Sequence, residues 1–277
     1  MRMFRIARLA LCAVAAAAVS GCIQSSTLIK MKPDGSGTIE QTMTMNADAV
    51  AQFSALAAMG DDKGKTKGID DLFSEKDARA AADKMGQGVT FVSSQKIDTP
   101  DRKGIQATYA FTDITKISIE EMNSPSNVPD TGGTGSSPKD PPMKFQFKSL
   151  PDGHAILTIL QPGVDKAMNA APASKPDSSV DPKMAEQGLA MMKTFMKGLK
   201  IDVAVQVPHV VKTSSQYVDG GTVTLLSMDF DTILADPTMA ERLNKVTNLS
   251  DTKALLRDFK GVKINLEPQV TIEFTGK

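Results

Sequence analysis

Apolar and polar residues alternate with a period of two over much of the chain. In 38–45, Ile39, Gln41, Met43 and Met45 share one face, and Thr38, Glu40, Thr42 and Thr44 share the other. In 200–207, Ile201, Val203, Val205 and Val207 alternate with Lys200, Asp202, Ala204 and Gln206. Side chains of a strand point to opposite faces in turn, so both segments read as strands with one buried face. Turn residues separate such runs. Pro33-Asp34-Gly35-Ser36-Gly37 lies between 27–31 and 38–45, Pro100-Asp101-Arg102-Lys103-Gly104 between 89–96 and 105–111, and Pro151-Asp152-Gly153 between 143–149 and 154–161. Each predicts a hairpin. Further strands are expected at 201–207, at 222–230 after Asp219-Gly220-Gly221, and at 262–266 and 270–274.

Helical spacing appears in 47–59, where Val50, Phe53 and Leu56 repeat, in 182–198, and near 237–246 and 251–260. Ser74 precedes another helix running to about Met85, with Asp77 at the capping-box position. The fold class expected is therefore α+β, with antiparallel sheets built from Asp-Gly hairpins and packed helices. The order strand, turn, strand, helix, helix, strand, strand occurs twice. That order suits either two ββααββ lobes from a divergent duplication or two ordinary α+β segments alike by coincidence. The expected divisions are 1–21 as a signal peptide, 22–122 as an N-terminal lobe, 123–142 as a Pro/Gly/Ser linker and 143–277 as a C-terminal lobe.

The first 22 residues follow a different rule. Arg2, Arg5 and Arg8 precede an apolar run, 9–19, about half the ~20 residues that a spanning helix needs. The run ends in Val19-Ser20-Gly21-Cys22, which resembles the lipobox of bacterial lipoproteins. That resemblance implies cleavage between Gly21 and Cys22, a diacylglycerol thioether on Cys22 and acylation of the new amino group. The processed chain would keep 29 basic and 32 acidic side chains, a net charge of −3. Cys12 would leave with the signal and Cys22 would carry lipid, leaving no thiol for a disulfide or a nucleophile. The second residue of the processed chain is Ile23 rather than the Asp that retains enteric lipoproteins in the inner membrane. The expected location is the outer membrane, or the plasma membrane of a cell that has no outer membrane. A strand starting at Thr27 would leave a tether of about five residues, at most ~17 Å long.

Composition narrows the function. The 277 residues carry 32 Lys+Arg against 32 Asp+Glu, without the basic excess of a nucleic-acid binder. Tryptophan is absent and tyrosine occurs twice, so aromatic stacking platforms lack material. Two histidines, His154 and His209, adjoin turns or strand ends and read as solvated or capping residues. No cofactor, metal site or catalytic group is expected. Gly60-Asp61-Asp62-Lys63-Gly64-Lys65-Thr66 is one residue short of a phosphate-binding loop. Ser93-Ser94-Gln95-Lys96 has the Ser-x-x-Lys spacing of penicillin-recognising enzymes but falls on a strand. Asp229 and Asp231 could share a Ca²⁺ ion, although Asp231 reads better as the N-cap of the next turn.

The helix at 182–198 is rich in methionine. Met184, Leu189, Met191, Met192, Phe195 and Met196 leave a narrow polar side carrying Glu186, Lys193 and Lys197. Flexible, polarisable methionines accept irregular acyl chains, and they also fill gaps in ordinary cores. Met191, Met192 and Phe195 are the candidate ligand-lining residues.

From Lys197 onward, Gly198-Leu199-Lys200 leads into the alternating strand, then Val207-Pro208-His209-Val210-Val211 and Asp219-Gly220-Gly221-Thr222-Val223. With an Asp-Gly hairpin directly after the lipobox cysteine, this resembles the LppM-type domain of bacterial envelope lipoproteins. His209 stands where that family is expected to have Gly. The resemblance implies a non-enzymatic envelope protein that binds lipid or glycolipid. The alternatives are an assembly partner that binds an envelope protein through its sheet edges and, more distantly, a hydrolase.

Overall fold

The computed structural model describes residues 23–51, 54, 73–119, 142–161, 197–238, 242 and 255–276. Strand β1 (Ile23–Met31) pairs antiparallel with β2 (Gly37–Asn46), from Ile23↔Met45 to Met31↔Gly37. Between them Gly35 adopts φ +85, a left-handed conformation that glycine takes at little cost. Asp34 braces the turn by accepting from the Ser36 amide at 2.9 Å and the Ser36 hydroxyl at 2.7 Å. These two bonds hold the Asp34 carboxyl below its ordinary range. Helix α1 (Glu75–Ala82) is capped as its sequence predicts, with Ser74 Oγ accepting from the Asp77 amide at 3.1 Å.

The next strands are β3 (Val89–Asp98) and β4 (Arg102–Phe111), then β5 (Lys144–Ser149) and β6 (His154–Leu160) after a 3₁₀ turn at Ile114–Lys116. The remaining elements are β7 (Lys200–Gln206), β8 (His209–Thr213), β9 (Val218–Asp219), β10 (Thr222–Asp229), α2 (Phe230–Leu234), β11 (Val262–Ile264) and β12 (Gln269–Thr275). The larger sheet has the order β11-β10-β7-β1-β2-β4-β3, with β9 also paired to β10; the smaller has the order β5-β6-β12-β8.

Several expectations change here. The sheets are not wholly antiparallel, because β1 and β7 run parallel from Gln24↔Lys200 to Lys30↔Gln206. That pair joins residues from both sides of 123–142, and one core cluster draws side chains from both sheets. Two ββααββ lobes are accordingly not shown. The first strand also begins earlier than expected, at Ile23 rather than Thr27. The second hairpin turns at 99–101, so Arg102 and Lys103 belong to β4 rather than to a loop. Strand β8, read only as a segment after a proline, is an edge of the smaller sheet. The linker 123–142, apart from Pro142, lies outside the described residues.

The main core lies where the two sheets share a face. Ile29, Ile39, Tyr109 and Val205 of the larger sheet and Leu157, Ile159, Ile272 and Phe274 of the smaller are all buried in it. Ala78, Ala82 and Met85 close it beside β3. Burial also pushes the Tyr109 hydroxyl up to about 12. At the other end of the larger sheet, two smaller clusters take over on the same face. Ile23, Met45, Ala49 and Phe73 form one, and Ile233, Leu255, Phe259 and Val262 form the other.

Candidate functional site

The end of the larger sheet where β1 begins is the part of the described molecule nearest Cys22, and its two faces differ. On the face that carries the core, one row runs Ile105–Met43–Ser25–Ile201–Met228 across β4, β2, β1, β7 and β10. All five residues are half-buried. On one side of the row, Ala107, Thr27 and Val203 are buried; on the other, Ile23 and Met45 are buried. The row is thus half-covered between two closed regions: Met43 and Ile105 pack against one smaller cluster, Met228 against the other, and Ser25 interrupts the apolar side chains. Alternation explains its composition, because Ile105, Met43, Ser25 and Ile201 each lie two positions from a buried residue of their own strand.

The opposite face of the same end is polar. Thr44, Gln24, Lys200 and Asp229 lie in register across β2, β1, β7 and β10. Gln24, Asn46, Arg102, Lys197, Gly198, Lys200 and Asp231 line an open cleft of about 260 Å³ there. Arg102 opens β4 opposite Asn46, the last residue of β2, and its Nη1 lies 3.4 Å from Thr44 Oγ1. Asn46 Oδ1 accepts from the Ala49 amide at 2.9 Å, which leaves its NH₂ to donate elsewhere.

Asp229 and Asp231 organise the far wall. Lys200 Nζ donates to Asp229 Oδ2 at 2.5 Å, and Asp229 Oδ1 accepts from the Thr232 amide at 3.2 Å. Asp229, not Asp231, is thus the N-cap of α2. Strand β10 ends at Asp229 and α2 starts at Phe230, so Asp231 already lies in the first helical turn. The bond to Lys200 holds Asp229 below the usual carboxylate range and raises Lys200 above its ordinary value. Asp231 instead accepts from the Gly198 amide at 2.7 Å, while the Phe230 amide donates to Leu199 O at 3.1 Å. Gly198 has φ +79, a left-handed conformation that glycine takes at little cost. The loop 197–199 is in this way tied to the first turn of α2.

Of the residues singled out from sequence, Gly21 and Cys22 lie outside the described residues, immediately before β1. Met191, Met192 and Phe195 also lie outside them, as does the segment 60–66. Ser93 to Lys96 sit on β3, an edge strand. His154 opens β6 and its Nδ1 meets Glu273 Oε1 at 2.9 Å; His209 opens β8. Sequence reading missed Arg102, Lys197 and Lys200 as a group. Arg102 was hidden by its Pro-Asp turn, and Lys197 lies 95 positions away in the chain. Only the parallel β1·β7 pair brings them together.

Among the described residues, no three His, Cys, Asp or Glu side chains gather to hold a metal, and no helix is long and apolar enough to cross a membrane. No family model and no curated protein matches the chain. Among solved structures, the folded domain of Mycobacterium tuberculosis LppM, determined by NMR, is similar over 92% of this chain and 91% of that one, at 10% identity and a TM-score of 0.30. That is a loose likeness at the level of fold.

Proposed function

We propose that this chain is a non-enzymatic lipoprotein of the cell envelope, anchored through acyl groups on Cys22, that binds lipid or glycolipid at the membrane surface. The reading places it on the outer membrane, or on the plasma membrane of a cell with no outer membrane. The observation that carries it is the half-buried strip of Met43, Ile201 and Ile105 beside the first residues of the processed chain. Apolar side chains left partly uncovered at a membrane-proximal sheet end offer a place for acyl chains. Met191, Met192 and Phe195, outside the described residues, remain candidate ligand-lining residues on the strength of their methionine-rich sequence alone. The LppM-type sequence resemblance agrees with it.

Mass spectrometry of lipids copurifying with residues 23–277 tests the reading. The fragment must begin at Ile23, because that residue is 4% exposed and paired with Met45. Recovery of a defined lipid class, reduced by Met43→Gln or Met192→Gln while the fold persists, supports lipid binding. A fragment free of lipid, with both variants merely less stable, overturns it.

A second reading is favoured by the sheet edges. β3 is a ten-residue edge strand with Val92 55% exposed, and β8 is an edge strand with Val211 46% exposed. Unpaired edges with exposed valines can add a strand from an envelope protein. Val92→Lys would abolish such pairing without altering lipid content.

A further inference from the structure

The polar cleft at the β1 end has a composition that the apolar strip does not explain. We propose that it receives the phosphate of an anionic phospholipid headgroup in the membrane to which Cys22 ties the chain. The inference rests on the lipoprotein reading for its location and on the cleft itself for its chemistry. Its lining holds three cations, Arg102, Lys197 and Lys200, and one carboxylate, Asp231; Lys200 is paired with Asp229, so Arg102 and Lys197 are the cations left for a ligand.

The carboxylates are internally occupied. Asp231 Oδ1 is held by the Gly198 amide, and both oxygens of Asp229 are engaged, one by Lys200 and one by the Thr232 amide. Arg102 and Lys197 have no carboxylate partner among the described residues. Arg102 supplies a planar fork suited to two phosphate oxygens, Lys197 a compact charge, and the Asn46 NH₂ a further donor. All of these surround one opening, built by β4, β2, β1 and the loop 197–199.

Size and depth give the ligand its class. At about 260 Å³ the cleft falls just below the usual range of pockets that swallow a whole ligand, roughly 300–1,000 Å³. It fits a headgroup rather than a pair of acyl chains. Gln24 is two residues from Cys22, about 7 Å at the rise of an extended strand. The headgroup layer of one leaflet is about 5–8 Å deep, the difference between the full bilayer and its hydrocarbon core. Because β1 starts at Ile23, no slack lets the cleft retreat from that layer.

Lysine acetylation read by mass spectrometry tests this on the full processed protein, purified from membranes and placed in phosphatidylcholine vesicles. The N-terminal peptide reports separately whether Cys22 is acylated, so failure of the anchor is distinguishable from failure of the cleft. Adding phosphatidylglycerol should slow acetylation of Lys197 by roughly tenfold, equivalent to about 1.4 kcal/mol, with Lys30 and Lys148 unchanged. Arg102→Gln should remove that protection and Arg102→Lys restore part of it, with acetylation elsewhere reporting an intact fold. Inorganic phosphate in place of phosphatidylglycerol should protect weakly. Equal protection by inorganic phosphate would reassign the cleft to a soluble phosphate, and no protection by either would overturn the proposal.

Discussion

The two ends of the larger sheet are built from the same strands by the same alternation, yet they differ in closure. Toward the β1–β2 turn, Ile29, Ile39 and Val205 are 0% exposed and Tyr109 is 2% exposed beneath the smaller sheet. Four residues away along the same strands, Met43, Ile105 and Ile201 are half-buried, and the reverse face gathers Arg102, Lys197 and Lys200. Burial of a large aliphatic side chain stabilises by about 1.5–3 kcal/mol, so the closed end carries the fold. The half-buried row contributes less to stability, and beyond it, beside Cys22, Ile23 and Met45 close a smaller cluster. Under the proposed reading one strand, β1, would serve both tasks, folding and anchoring, with the core at one terminus and the anchor at the other.

The largest effect should come from severing the anchored end. Cys22→Ser is expected to release the protein from membranes under sodium carbonate, because a processed chain of net charge −3 without its acyl groups has no other described attachment. Retention after washing would break the contrast, since the open end would not then be the membrane end.

Next in size is the difference in packing. Ile39→Ala, at a position 0% exposed, should cost roughly 2–5 kcal/mol of stability by denaturant titration, through lost burial and a cavity. Ile201→Ala, half-buried, should cost well under half of that. Equal losses would mean that the strip at Ile201 is as closed as the core.

The smallest effect sharpens the comparison away from both ends. His154 Nδ1 donates to Glu273 Oε1 at 2.9 Å, which raises the imidazole pKa above its ordinary value. A raised folded pKa means that the contribution is fully present below the unfolded value and lost as pH rises through the folded one. NMR titration should therefore place His154 above the ordinary histidine midpoint, and Glu273→Gln should return it. Neither should change lipid content, because His154 lies in the smaller sheet.

Strands and their inward faces were largely legible in sequence. Ile201 to Val207 alternates as its local pattern requires, and the Ser74 cap sits where its spacing predicts. Errors came where two local signals competed. Pro100-Asp101 made Arg102 look like turn, though its hydrogen bonds with Thr99 already begin the β4 pairing. Asp231 looked like a cap, but the helix starts at Phe230 and Asp229 caps it. Of the site, the Cys22 motif was readable; the cations of the cleft were not, because nothing local links position 102 to 197.

Periodicity, turn chemistry and the run before Cys22 act over a few residues, so the chain alone determined the strands, the first and third hairpins and the expectation of an anchor. Sheet order depends on which strands find one another after long separations. The parallel joining of β1 to β7, the single core shared by two sheets, and the meeting of Arg102, Lys197 and Lys200 beside the first strand were decided only by the tertiary structure. The hydrogen bonds and packing that make those choices form between residues whose local patterns carry no record of their partners.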